Sequence, residues 1–234
     1  MAKNNVKDDR YERQAKLKEL SETGNFQALL SKKTVAVIGL GGIGCMSAQL
    51  LARFGVGNLI LVDKDKVELN NLHRQVLYKE SDVGKFKANL ATSKLKKINP
   101  SINLIPLVLN AGKKNILKIK ADLILDCTDN LETKLIINEH CKKTKIPWVF
   151  ATAVGTKVMV CSLISEKNKA WFEKSFGGKS GYIDSCSEGV LNTACNAAAC
   201  IQATEAIKIL TGTCAKPQLI CFDIWKNEFE KIEI

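Results

Sequence analysis

Residues 34–63 read TVAVIGLGGIGCMSAQLLARFGVGNLILVD, and this stretch decides the fold. TVAVIG (34–39) is a short β-branched run of the kind that forms a buried strand. Gly39-Leu40-Gly41-Gly42-Ile43-Gly44 then matches G-x-G-x-x-G and opens a helix that should end at Gly55. In that pattern the first glycine permits the tight turn, the second lets backbone N–H groups approach a phosphate, and the third lets helix and strand pack closely. NLILVD (58–63) is a second buried strand, ending on Asp63 where an acid can hydrogen-bond ribose hydroxyls. Strand, turn, helix and acid together point to an adenine nucleotide, without separating NAD from ATP. A packing turn with no ligand would use the same glycines.

Outward from this unit the alternation continues. A helix is expected over 82–100, with Phe86, Leu90, Leu95 and Ile98 on one face and Pro100 after its end. Strands are expected at 102–109, 121–127 and 147–154, with a helix at 131–144. Residues 157–164 follow across Gly155 as an antiparallel partner. Residues 165–188 read as a long loop carrying Trp171, Phe172, Phe176 and Tyr182, and 188–210 as a long helix rich in small residues. Residues 217–225 and 227–234 close the chain as a hairpin with Lys226-Asn227 near the turn. Residues 9–31 are polar helical material with a turn at Thr23-Gly24-Asn25. The pattern predicts an α/β fold. Its sheet is Rossmann-like, doubly wound and mainly parallel, with antiparallel C-terminal strands and an N-terminal helical arm. One domain over 1–234 is expected, with an arm at 1–33 and halves at 34–150 and 151–234.

Composition narrows the class. The 234 residues are 46% apolar, enough for a large core, which excludes a disordered chain or a disulfide-dependent miniprotein. Thirty-five Lys+Arg against 24 Asp+Glu give +11, which favours an anionic partner. Residues 85–120 hold nine of the lysines and no acid. No run is long and apolar enough for a membrane helix, and no signal peptide is evident. An odd count of nine cysteines, several inside apolar segments, suits a reducing cytoplasm.

The run after Asp63 argues against a dehydrogenase. Asn70, Asn71, Arg74 and Gln75 crowd the nucleotide side, and Lys87 sits on the first turn of the next helix. Arg74 and Lys87 would offset the charge that builds on departing phosphates. A solvated loop beside a basic helix face is the alternative. Asp126-Cys127-Thr128-Asp129-Asn130 follows a strand at the sheet's carboxyl edge, where ligands bind. Asp129 is placed to hold Mg²⁺; Asn130 or Asp129 would equally serve as a helix cap.

RYERQ (10–14), VIGLGGIG (37–44), LVDKDKVELNNLHRQVL (61–77), VGKFKA (83–88), INP (98–100), DCTDN (126–130) and IQATEAIK (201–208) stand in order along nearly the whole chain. Together they resemble the ThiF/MoeB/HesA family of ubiquitin-activating-enzyme-like adenylyltransferases. The resemblance implies an enzyme that uses ATP and Mg²⁺ to adenylate the C-terminal glycine carboxylate of a small ubiquitin-like sulfur-carrier protein with a Gly-Gly tail. The product would feed thiamin, molybdopterin or tRNA thiolation. Gly39, Gly41, Gly42 and Gly44 would then shape the nucleotide turn and Asp63 would bind ribose. Asn70, Asn71, Arg74 and Lys87 would contact the phosphates, and Asp129, beside Asn130, would hold Mg²⁺. Arg13 resembles an arginine inserted from the partner of a homodimer. The half at 151–234 would bind the carrier and form the crossover loop. No direct nucleic-acid or membrane contact is expected, and the lysines of 85–120 would steer an acidic carrier or form a solvated face.

Cys186, just before the long helix, is the candidate nucleophilic thiol, since a helix N-terminus lowers a thiol pKa. A loop thiol without chemistry is the alternative. Cys195 and Cys200 read as packing in the helix. Many relatives carry a zinc site of two C-x-x-C pairs; this chain has no C-x-x-C, so no zinc site is expected. Trp171, Phe172 and Phe176 would anchor the loop or cover the carrier tail. His73 and His140 are not a ligand pair, and His73 would pack beside the phosphate loop. Competing readings are a tRNA threonylcarbamoyladenosine dehydratase-like adenylating enzyme, an NAD-dependent oxidoreductase, and a nucleotide-dependent binding module without catalysis.

Overall fold

A computed structural model describes residues 10–21, 24–177, 188–213 and 216–234. Its strands are β1 (Thr34–Ile38), β2 (Asn58–Val62), β3 (Asn103–Leu107), β4 (Leu123–Asp126), β5 (Trp148–Val154), β6 (Lys157–Leu163), β7 (Gln218–Asp223) and β8 (Glu228–Glu233). They form one sheet in the order β3-β2-β1-β4-β5-β6-β7-β8. Pairings from β3 through β5 are parallel and those from β5 to β8 antiparallel. The α/β, mainly parallel sheet with antiparallel C-terminal strands is therefore as expected. The chain leaves β1 toward β2 and β3 on one side and returns to β4 and β5 on the other. That reversal opens a crevice at the carboxyl ends of β1 and β4.

The central strands are apolar along their length because both faces are covered, with Thr34, Asn58 and Asp126 only at strand ends. Val35, Val37, Leu59, Leu61, Leu123 and Leu125 belong to one buried cluster, and Ala36, Ile38, Ile60, Val62 and Ile124 to another. The first cluster includes side chains of two helices, Gly42–Phe54 and Asn192–Thr211. The second lies under the helices Leu131–Thr144 and Glu166–Phe176. Pro106 is tolerated in β3 because that strand is a sheet edge, where a missing N–H costs least.

Four expectations shift. Residues 166–176 are a helix, not part of a loop. Ser165 caps it, accepting from the Asn168 N–H, while the Asn168 side chain accepts from the Ser165 N–H. Phe172 packs edge-on against Trp148 and Phe150, with centroids 5.1 and 5.2 Å away, and Phe176 joins them. These aromatics are core, so Phe172 neither anchors a loop nor covers a ligand. The helix expected over 82–100 starts at Lys87, after a 3₁₀ turn at Glu80–Asp82. Phe86 is its extended cap and is exposed, whereas Ala88, Ala91 and Leu95 are buried. The long helix begins at Asn192 rather than 188, because Gly189 has φ +73° and Val190 bridges Gly155. The arm is broken into short helices, Glu12–Ala15, Lys18–Ser21 and Phe26–Leu30. Hydrogen bonds from Gln14 to Phe54 O and from Arg10 to Ile98 O tie it to two helix C-termini. Those ends lie across the sheet from the crevice.

Candidate active site

The crevice holds a cavity of about 460 Å³. Every parallel strand from β1 to β5 contributes its carboxyl end: Gly39 and Gly41 to Ile43 follow β1, Asp63 to Asp65 follow β2, Leu109 to Ala111 follow β3, and Cys127 to Asn130 follow β4. Thr152 and Ala153, near the carboxyl end of β5, close one wall.

Each glycine of the turn has a separate job. Gly39 has φ +88°, and an added Cβ would sit 2.8 Å from Cys127 O. Gly41 borders the cavity and its nearest neighbour would be the Gln75 amide, at 3.8 Å, so the backbone is left bare toward a ligand. Gly44 is not in the cavity wall. A Cβ there would fall 1.8 Å from Gly39 O, so this glycine allows the helix to begin directly against the turn. Gly42 faces Cys195 Sγ, 2.9 Å from the position of a Cβ.

Asp63 is buried, and both carboxylate oxygens take backbone amides: Leu40 N–H at 2.7 Å and Asp65 N–H at 2.7 Å. Burial pushes its pKa up, against the lowering pull of those two amides and of Lys87. Remaining lone pairs can accept ribose hydroxyls.

Arg74 and Lys87 bring positive charge to one wall. Arg74 Nη1 donates to Asn70 O at 3.2 Å and lies 2.7 Å from His73 Nε2. Because the guanidinium can only donate, His73 must accept through Nε2 and carry its proton on Nδ1. His73 is exposed and braces Arg74. Lys87, the first residue of its helix, is buried, with Nζ 3.9 Å from Asp65. Asn71 is buried, and its Oδ1 accepts from Glu68 N–H at 3.3 Å while its Nδ2 donates to Asn70 Oδ1 at 2.6 Å.

In the loop after β4, Asp126 is fully buried and paired with buried Lys134 at 3.2 Å. Its other oxygen accepts from Thr128 N–H at 2.9 Å and Thr128 Oγ1 at 2.7 Å. Asn130 caps the following helix, accepting from Thr133 N–H at 2.9 Å. The cap is thus Asn130, whose Nδ2 also donates to Asp129 Oδ1 at 3.3 Å; Asp129 is exposed at the cavity, where its carboxylate is a hard oxygen donor. One or two carboxylates beside phosphates are what Mg²⁺ takes, so the donor set fits. Asp126 and Asp63 are already committed to protein donors.

Gly39, Gly41, Gly42, Asp63, Asn70, Asn71, Arg74, Lys87, Asp129 and Asn130 therefore meet at one cavity. Arg13 is exposed on the arm and outside it. Cys186 lies outside the described residues. Cys195, read only as helix packing, is buried and also lines the cavity, where burial pushes its thiol up to about 11. Cys200 is exposed, contrary to expectation, because it falls on the outer face of the long helix. Leu109, Asn110 and Ala111 were also missed; their place directly after a parallel strand was the available signal.

A glycine turn, a buried acid at the end of β2 and a basic wall at the switch point of a doubly wound sheet define a nucleotide-binding α/β protein. Comparison narrows the class: the ThiF family model matches residues 11–234, and the chain belongs to that family. It is 34% identical over 227 residues to the sulfur carrier protein ThiS adenylyltransferase of Bacillus subtilis, covering 95% of this chain and 67% of that protein. It is 32% identical over 233 residues to the molybdopterin-synthase adenylyltransferase of Escherichia coli, covering 96% and 92%. Against the adenylyltransferase and sulfurtransferase MOCS3 of Danio rerio the identity is 34%, and the chain spans 50% of that protein's length. Among solved structures, Escherichia coli MccB with ATP shares the fold at a TM-score of 0.79 and 23% identity, covering 96% of this chain and 71% of that one. PaaA does so at 0.81 and 21%, covering 100% and 86%. Among the described residues no helix is long and apolar enough to cross a membrane.

Proposed function

We propose that this chain is an ATP-dependent adenylyltransferase acting on the C-terminal glycine carboxylate of a small ubiquitin-like sulfur-carrier protein. The observation that carries the reading is the convergence of Arg74, Lys87, Asp63 and Asp129 on one glycine-floored cavity. Family membership and adenylyltransferase relatives support it. Residues 34–150 form the nucleotide half and 151–234 the carrier half.

In the reaction a carboxylate oxygen of the carrier attacks the α-phosphorus of ATP. The bond from that phosphorus to the bridging oxygen breaks, and pyrophosphate leaves with the electron pair. A mixed acyl-phosphate anhydride remains; a sulfur nucleophile attacks its acyl carbon, the C–O bond breaks and AMP leaves with the electron pair, on the way to the thiocarboxylate used in thiamin, molybdopterin or tRNA thiolation pathways. Asp63 orients the ribose. Gly41 and Gly42 admit the phosphates close to the backbone. Arg74 and Lys87 offset the charge that grows on the departing pyrophosphate, and Asn70 and Asn71 shape that wall. Mg²⁺, held through Asp129 beside Asn130, would neutralise phosphate charge. Arg13 acts on the site of a second copy in a homodimer, since its own protomer holds it across the sheet from the cavity. Cys186 supplies a thiol for the later step. No zinc takes part.

The test is carrier-dependent exchange of pyrophosphate into ATP. The parent should exchange, and Arg74→Ala and Lys87→Ala should each lose about 100-fold or more while their unfolding midpoints hold. Exchange that survives both substitutions overturns the phosphate-site assignment. Tight NAD binding without ATP binding would transfer the chain to the oxidoreductase reading.

A further inference from the structure

The Leu40–Gly41 peptide is held from below. Leu40 N–H donates to Asp63 Oδ2 at 2.7 Å. Leu40 C=O accepts from two buried donors, Tyr78 Oη at 3.2 Å and Cys45 Sγ at 3.2 Å. The Tyr78 hydroxyl is also 3.3 Å from Lys87 O, so its single proton is shared between the glycine turn and the first residue of the helix that carries Lys87. Tyr78 is buried and does not border the cavity. Gly41 does border it.

Peptide planarity turns this into a statement about the site. No peptide bond here is cis, so the Gly41 N–H points opposite to the Leu40 C=O across one rigid plane. Anchoring the carbonyl toward Tyr78 and Cys45 therefore directs the Gly41 N–H away from those buried side chains, and Gly41 itself borders the cavity. A glycine turn is otherwise free to rotate this plane, because Gly41 lacks the Cβ that would restrict it. Burial pushes the phenol pKa up, which keeps the hydroxyl a donor at any pH the protein meets.

We propose that Tyr78 is a positioning residue whose buried hydroxyl locks the Leu40–Gly41 peptide with its N–H toward the nucleotide phosphates and ties that turn to Lys87. The proposal rests on the ATP reading of the site. It concerns a residue that touches neither substrate nor the reacting atoms.

ATP titration of the full chain tests it, with the unfolding midpoint measured alongside in the absence of nucleotide. Tyr78→Phe keeps the ring and removes only the hydroxyl. Its ATP Kd should rise about fivefold, the value of one net hydrogen bond. Cys45→Ala removes the weaker donor and should raise Kd about twofold, and the double variant should exceed either alone. A purely structural role would lower the midpoint and leave Kd in place. Should Tyr78→Phe fail to fold, Cys45→Ala carries the test, and an unchanged Kd there overturns the proposal. A parent that binds ATP beside a Tyr78→Phe variant within twofold of it overturns this proposal alone. A parent that binds no ATP overturns the ATP reading and this proposal with it.

Discussion

Asp63 shows how one side chain does two jobs and what that costs. Its carboxylate orders the glycine turn through Leu40 N–H and its own loop through Asp65 N–H. The burial that makes those bonds effective also raises its pKa. A raised acid takes up its proton at a higher pH than an ordinary carboxylate, which titrates near ~4. Protonation converts an acceptor for ribose hydroxyls and backbone amides into a partial donor. ATP affinity should therefore weaken as pH falls from neutral toward the raised value, before exposed carboxylates titrate. Asp63→Asn should bind weakly and lose that dependence. A parent Kd that stays flat down to the ordinary carboxylate range would refute the role. The sequence announced Asp63 by its place at a strand end; the two amides it holds were not readable, since they depend on how the turn folds back.

At the scale of elements, the loop after β4 is built on a buried ion pair. Lys134 comes from the helix Leu131–Thr144 and Asp126 from the last residue of β4, and both are withdrawn from solvent. Lys134 Nζ also lies 5.6 Å from the Phe150 ring centroid. Removing one partner leaves the other charge uncompensated in the core, a loss of about 3–5 kcal/mol. Lys134→Met should show that loss in urea unfolding, and Lys134→Met with Asp126→Asn should recover part of it. A single variant that unfolds with the parent would contradict the pairing. The strand and this helix were legible from apolar periodicity and from Asn130 at the start. The helix Glu166–Phe176 was not, because its polar residues resemble a loop and its signal is a cap at Ser165 plus three aromatics that meet Trp148 and Phe150 only in the folded core.

The whole molecule places the arm and the cavity on opposite edges of the sheet, through the hydrogen bonds of Arg10 and Gln14 to the ends of two helices. Under the proposed homodimer, Arg13 would reach a nucleotide only in the other copy. That proposal predicts that Arg13→Ala and Lys87→Ala are each inactive alone and complement when mixed and allowed to exchange subunits. Each mixed dimer has one intact site, so random mixing should restore about a quarter of parent activity. Absence of any recovery, with subunit exchange verified, would remove Arg13 from the partner's site.

The sequence by itself determined the strand–turn–helix unit, the alternation that makes a doubly wound sheet, and the residues of the glycine turn and of NNLHRQ. Those signals are local, set by periodicity, glycine placement and charge within one short window. Tertiary structure alone decided which of them meet. Cys195 reaches Gly42 and Tyr78 reaches Leu40 across long separations in the chain, and Tyr78 also reaches Lys87 nine residues on. It also split the described cysteines, with Cys195 in the cavity wall and Cys200 on the surface of the same helix. No window of sequence encodes such contacts, because they arise from how helices seat on a twisted sheet, where packing of many side chains fixes the few that face the crevice.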